Sequence, residues 1–255
     1  MRIGFPLTRF VLSILALGEL VLGAPAIAAE PDFRLTTGMV EPWTNSAGTG
    51  FHQMLIRDLF QRRGLKAELD VNLASARAFK LADDGVTDGL AGRVAGMEKE
   101  FPNLVAIPER MFVNDFVACG LPGTSLPANW GDLGPRAVAH IIGWQVFEHN
   151  LPKVRDLSTV KDSSQLLALL RSGHTELILH ERWQAMWQAQ RQGLKLVCTD
   201  APLARTPMFI YLNRRHGALV EPLAQTLRAM KADGSYDAIA RTAFGDLGAS
   251  TTGLK

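Results

Sequence analysis

From residue 33 onward the apolar positions switch between two periods, and the switches mark the elements. Phe33 to Thr37 reads as a short strand that stops at Gly38, and an irregular loop over 39–49 follows, with Pro42-Trp43 and Gly48. From Gly50 the spacing is helical: Phe51, Met54, Leu55, Leu59 and Phe60 recur three and four apart, and Gly64 closes the run. Ala67 to Val71 alternates like a strand. Ser75 suits a helix cap ahead of Arg77, Ala78, Leu81 and Ala82. Gly89 to Ala91, within Asp88-Gly89-Leu90-Ala91-Gly92-Arg93, is a short buried strand, and Leu104 to Ile107 and Phe112 to Cys119 are two more.

Gly120-Leu121-Pro122-Gly123 marks a boundary, and a second strand–helix set follows. Ala137 to Ile142 is a strongly apolar strand interrupted by Gly143-Trp144, with a short helix over Val146 to Leu151 and a strand over Leu157 to Val160. Ser163 caps a helix that carries Leu166, Leu167, Leu169 and Leu170 and ends at Gly173. Leu177 to Leu179 is a buried strand, Glu181 to Gln192 a helix, and Leu194 to Cys198 a strand. The strand Met208 to Leu212 then leads to a helix faced by Leu219, Leu223, Leu227 and Met230. A last short helix carries Tyr236, Ile239, Ala240 and Phe244.

Alternation in this order predicts βαβ units with parallel pairing, hence an α/β fold. The expected organisation is a discontinuous first lobe, 30–118 with 207–248, and a second lobe, 119–206, inserted between two crossing strands. The crossings fall near Val113–Cys119 and Pro202–Leu212, and 249–255 is expected to be a loose tail.

The N-terminal pattern differs. Arg2 and Arg9 precede a mostly apolar run from Phe10 to Leu22, and Ala26-Ile27-Ala28 is a small-x-small cleavage signal. Residues 1–29 therefore read as a cleavable signal peptide, directing the chain to the periplasm. The alternative, an uncleaved anchor, needs an apolar run of about 20 residues, and this one is shorter. Cleavage removes two arginines and one glutamate, so the charge falls from +2 to +1. So small a charge argues against nucleic acid or an anionic membrane surface as partner.

With 255 residues and 47% hydrophobic content the chain can bury a sizeable core. Cys119 and Cys198 are the two cysteines. They either pair in an oxidising compartment or stay as buried thiols. The six histidines show no metal-ligand spacing, and no phosphate loop, dinucleotide fingerprint or nucleophile-elbow motif is present. No cofactor or metal is expected.

Arg93 is the leading candidate for chemistry. It lies just past a strand's carboxyl end, where ligands bind in open α/β sheets. Its guanidinium suits a carboxylate. The alternative is a surface salt bridge with Glu98 or Glu100. Arg77 either joins it or lies on a solvated helix face. Glu181 would pair with a ligand ammonium or complement its helix N-terminus. Trp43 would stack on the ligand or pack into the lobe, and Trp144 would wall the cleft or close a core. Trp183 and Trp187, four apart on one helix, read as core, and Tyr211 and Asn213 as structural.

Taken in order, several short motifs resemble the bacterial extracellular solute-binding proteins of family 3, the polar amino-acid type. They are Leu35 to Thr44, Gly50-Phe51, Ser75-Ala76-Arg77, Asp88-Gly89 with Gly92-Arg93, Pro102-Asn103-Leu104-Val105 and Tyr211-Leu212-Asn213. Met230-Lys231-x-Asp233-Gly234-Ser235-Tyr236 with Ile239 is the most family-like piece. The resemblance spans roughly 33–245. It implies a two-lobe type II periplasmic-binding-protein fold, a small amino-acid-like ligand and a membrane ABC permease as partner, the protein acting as a monomer. Together with the residue reading above, the candidate ligand set is Arg93, Gly92, Trp43, Glu181, Arg77 and Trp144.

Two departures stand out. The family's Thr-x-x-Arg carboxylate clamp falls here on Met97 and Glu100, and its Gly-Thr-Thr-like run falls on Gly143-Trp144-Gln145. Glu181, after Leu177-Ile178-Leu179-His180, matches the family's acidic partner for the ligand amino group. Some relatives on this fold are dehydratases with an acid in the cleft, a part that Glu181 or Glu41 would take. A ligand sensor acting on a membrane receptor is the third reading.

Overall fold

The computed structural model describes residues 1, 3, 4, 31–72, 74–247 and 251–255. It divides into two units, Met1–Glu30 and Pro31–Lys255. The signal-peptide assignment falls almost wholly outside the described residues. Among those residues, every strand and helix lies in the second unit.

The first half of that unit runs β1 (Phe33–Thr37), α1 (Phe51–Gln61), β2 (Ala67–Val71), α2 (Ser75–Asp83), β3 (Gly89–Arg93), β4 (Leu104–Ala106) and β5 (Phe112–Gly120). The second half runs β6 (Ala137–Ile141), α3 (Gln145–Asn150), β7 (Asp156–Val160), α4 (Ser163–Arg171), β8 (Leu177–Glu181), α5 (Arg182–Arg191), β9 (Val197–Cys198), β10 (Ala204–Asn213), α6 (Gly217–Ala232) and α7 (Ser235–Phe244).

The strand order is β2-β1-β3-β10-β5-β8-β6-β7, with β4 added to β10 and β9 to β5. β1 pairs in parallel with β2 and β3, and β6 pairs in parallel with β7 and β8. Each end of the sheet is thus a βαβαβ unit whose first strand lies in the middle. The two units trade their next strands. β10, from the end of the chain, lies antiparallel to β3, while β5, leaving the first unit, lies antiparallel to β8. β10 changes sides along its length: Ala204–Met208 pairs with β5 and Phe209–Leu212 with β3, the β3 register shifting between Phe209 and Tyr211.

Helices cover both faces of each end. Leu35, Phe51, Leu55, Leu59, Leu223, Leu227 and Met230 pack β1, α1 and α6 together, and Ala78, Phe79, Leu90 and Leu104 fill the opposite face. At the other end, Ile141, Leu166, Leu167 and Ile178 fill one face, and Val138, Phe147, Leu177 and Leu179 the other. β1, β3, β6 and β8 are buried along most of their length, which is why β6 and β8 read as apolar runs rather than alternations.

Three local expectations need correction. The cap of α4 is Asp162, whose carboxylate accepts from Gln165 N at 2.9 Å, and Ser163 is the first helical residue. α2 begins at Ser75, with Ala74 in the cap position. The loose tail is not loose over 251–255. Thr251–Leu254 is a 3-10 turn, Leu254 is buried in the first core, and its carbonyl accepts from Tyr236 Oη at 3.2 Å. Arg205 Nη2 donates to the Gly253 carbonyl at 3.0 Å, and Lys255 pairs with Asp237 at 2.5 Å, so the segment is docked at several points.

Candidate functional site

A cavity of about 1010 Å³ opens at the carboxyl ends of the parallel strands. Gly38 to Val40 follow β1, Gly92 and Arg93 end β3, and Val94 follows it. On the other side stand Ile141 to Val146 after β6, Lys161 to Ser164 after β7, and Glu181 with Gln184 and Gln188 at β8 and α5. Asn114 and Phe116 on β5, and Thr206 and Met208 on β10, cross between the two sides. The strands run in the same sense at each end, so all their carboxyl ends meet on one side, where α/β proteins take ligands.

Gly92 shapes the first wall. It sits at φ +67°, which side chains other than glycine adopt only with strain. A Cβ there would stand 2.8 Å from His52 Cε1. The turn releases Arg93 into the wall. The Arg93 guanidinium lies over the Phe79 ring at 5.0 Å, and a Cβ on Gly38 would come within 3.1 Å of its Nη1. Burial lowers the Arg93 pKa from its ordinary value. His52 behind it is fully buried, and its Nδ1 lies 3.4 Å from Thr37 Oγ1. Burial, with the Arg93 charge adding to it, pushes the His52 imidazole down to about 3, so it is neutral at ordinary pH.

Trp43 is delivered by the Pro-containing loop, which Gln53 ties to the start of α1. The Gln53 side chain accepts from Asn45 N at 3.0 Å and Gly50 N at 3.2 Å and donates to Asn45 O at 2.9 Å. Trp43 is wholly buried among Phe51, Phe112 and Phe244, at ring distances of 5.7, 4.3 and 5.0 Å. Its indole Nε1 donates to Glu181 Oε2 at 3.0 Å.

Glu181 is the other end of that bond and is 1% exposed. It caps α5, accepting from Trp183 N on Oε1 and from Gln184 N on Oε2, each at 2.9 Å. Burial, with the Asp115 charge adding to it, pushes its carboxyl up to about 7 against the pull of these three bonds. Asp115 itself is held by Arg205 at 2.9 Å and Arg182 at 3.6 Å.

Next to Glu181, and not lining the cavity itself, His180 is buried and neutral, with burial lowering it to about 4. Its Nδ1 lies 3.0 Å from the Glu181 carbonyl, which can only accept. Nδ1 therefore carries the proton, and Nε2 accepts from Ser163 Oγ at 2.7 Å. Trp144 sets its edge against His180 at 4.8 Å and stacks on Phe147 at 5.8 Å, leaving it half-buried at the cavity mouth.

Of the six residues singled out in the sequence, Arg93, Gly92, Trp144 and Glu181 stand on the cavity wall. Trp43 does not line it and reaches it only through Glu181. Arg77 is exposed on α2, and neither it nor Glu41 lines the cavity. Sequence reasoning missed Lys161, Asp162 and Asn114. The strand-end rule that singled out Arg93 also points to Lys161 and Asp162, which follow β7 directly. Asn114 had no signal, being mid-strand. It is 6% exposed, and its Oδ1 has no hydrogen-bond partner among the described residues.

Cys119 and Cys198 face each other across β5 and β9 and form a disulfide, with Cα atoms 4.0 Å apart. Among the described residues no group of three or more His, Cys, Asp or Glu is placed to hold a metal ion, and no helix is long and apolar enough to cross a membrane.

No protein-family model and no curated protein matches the chain. Solved structures do match. An ancestral cationic amino-acid solute-binding protein superposes with a TM-score of 0.67 at 20% identity, over 83% of this chain and 95% of its own. The second substrate-binding domain of a putative amino-acid ABC transporter from Streptococcus pneumoniae gives 0.63 at 18%, over 83% and 99%. A histidine-kinase sensor domain with similarity to periplasmic binding proteins gives 0.62 at 17%, over 84% and 96%. Likeness at these identities shows the fold. It is the two-lobe type II periplasmic-binding-protein arrangement with two crossing strands, as the resemblance implies.

Proposed function

We propose that this chain is an exported solute-binding protein. It captures a small carboxylate-bearing solute between its two lobes and hands it to a membrane ABC permease. In this reading the lobes are 30–118 with 207–248 and 119–206, the protein acts as a monomer, and residues 1–29 are cleaved on export to the periplasm. The observation that carries the reading is the cavity of about 1010 Å³ at the strand carboxyl ends, with Arg93 on one wall and Trp144 on the other. Arg93 takes the carboxylate in a charge-assisted contact, Gly92 lets the backbone turn away from it, and Trp144 covers the ligand body. Arg77, exposed on α2, has no part in this site. The solute-binding and transporter-domain neighbours support the binding role.

The test is a thermal-shift screen of small carboxylates, followed by recovery of the bound compound. The expected result is a stabilised protein and an unchanged ligand. Arg93→Ala should lower affinity by about a hundredfold, the loss of one charged hydrogen-bonded contact, with an unaltered circular dichroism spectrum. Unchanged affinity would remove Arg93 from the site.

A second reading has one specific observation behind it. Glu181 is a buried acid near neutrality on a cavity wall, as general acids are. One structural neighbour is an ancestral amino-acid-binding protein described as a precursor of cyclohexadienyl dehydratase. Conversion of the recovered ligand would favour the enzyme. A sensor role would leave the ligand intact and require a receptor.

A further inference from the structure

We propose that the cavity selects carboxylates carrying a hydroxyl or keto oxygen where an amino acid carries its ammonium, attached to an apolar body. This rests on the carboxylate-binding reading above and narrows it.

The acids on the wall are already engaged by the protein. Among the described residues, Asp162 and Glu181 are the carboxylates that line the cavity. Glu181 Oε2 receives two donors, the Trp43 indole and Gln184 N, at 3.0 and 2.9 Å, and Oε1 receives Trp183 N at 2.9 Å. A carboxylate offers about four acceptor positions, so three are filled by the protein. These bonds hold the start of α5 and the Trp43 loop, two segments 138 residues apart in sequence. Turning the carboxylate toward a ligand would break the cap and strand a buried indole N–H. Asp162 caps α4, is exposed, and follows Lys161, which also lines the cavity. Water and the neighbouring ammonium both weaken its pull on a cation.

A ligand ammonium would bring a full charge and three N–H donors into this cavity. Buried without a dedicated anion, such a group is costly. A hydroxyl or keto oxygen asks only for neutral partners, and the wall offers Ser163, Gln184, Gln188 and Thr206. The cationic side chains that line the cavity, Arg93 and Lys161, come from its two sides, and either can meet a carboxylate. Met39, Val94, Phe116, Ile142, Trp144 and Met208 supply apolar surface for the remainder.

Isosteric pairs test this. Titration calorimetry on the full chain would compare L-phenylalanine with L-3-phenyllactate, L-leucine with L-2-hydroxy-4-methylpentanoate, and L-tryptophan with L-indole-3-lactate. In each pair, a single ammonium becomes a hydroxyl. The expected result is that at least one hydroxy acid binds tenfold or more tightly than its amino acid, and that no pair shows the reverse. An amino acid that binds as tightly as its partner, or more tightly, overturns this inference and leaves the carboxylate-binding reading standing. If no member of any pair binds, the carboxylate-binding reading fails for compounds of this size, and the inference falls with it.

Discussion

Gly92 and His52 show how much the site depends on single positions. The backbone at Gly92 has positive φ, and His52 stands close behind it, walled in by Trp43 at 5.1 Å and Phe112 at 4.9 Å. A methyl group there meets a ring that has no room to retreat. Gly92→Ala should therefore destabilise the fold by about 2–3 kcal/mol, combining backbone strain with a steric clash. Urea denaturation would measure it, and an unshifted midpoint would show that the ring gives way. Gly92 and Arg93 were legible in the sequence because their chemistry is local, a glycine stop and an arginine beside a buried strand. Trp43 was not. Whether it faces ligand or core is decided by Phe112, Phe244 and Glu181, which are between 69 and 201 residues away and which no local pattern can bring together. Glu181 was half legible: its place at a strand end was readable, its engagement by three donors was not.

At the scale of elements, the periodicity located almost every strand and helix, because each is either apolar throughout or apolar on one face. It failed where an element is made by its neighbour. The run Leu194 to Cys198 looked like a full strand, yet only Val197 and Cys198 pair, on β5. That short edge is fixed by the Cys119–Cys198 disulfide, which the sequence left open against free thiols. The bond closes a loop with a sequence separation of 79, spanning β6 to α5. Constraining so long a loop in the unfolded chain is worth about 4 kcal/mol in the chain-entropy picture. Replacing both cysteines with alanine should lower the unfolding free energy by about that amount in denaturant titration. Reduction of the wild type should give the same loss, and insensitivity to both would show that β5 and β9 are held by packing alone.

Over the whole molecule, the two βαβαβ units exchange strands through β5 and β10, and they also share side chains. Trp183, at the start of α5, leaves the second unit's cores and stacks on Phe244 of α7 at 4.6 Å within the first. Glu181 bonds Trp43 beside it. The buried groups at this junction and around it oppose one another as pH changes. Glu181, raised to about 7 from an ordinary 4.5, holds its proton more tightly folded than unfolded, so it favours the folded state increasingly as pH falls from 7 toward 4.5. His52 and His180, lowered to about 3 and about 4 from 6.5, do the reverse: they take up protons in the unfolded chain first, and stability is lost as pH falls below 6.5. Between pH 7 and pH 4 each histidine costs about 3 kcal/mol and Glu181 returns about 3 kcal/mol, leaving a net loss of about 3 kcal/mol. Glu181→Gln removes the one compensating group. Whatever the substitution costs at pH 7, the further loss on acidification to pH 4 should roughly double relative to wild type. Urea titrations at pH 7, 5.5 and 4 on both proteins would measure this, and parallel pH dependences would show that Glu181 does not titrate in this range.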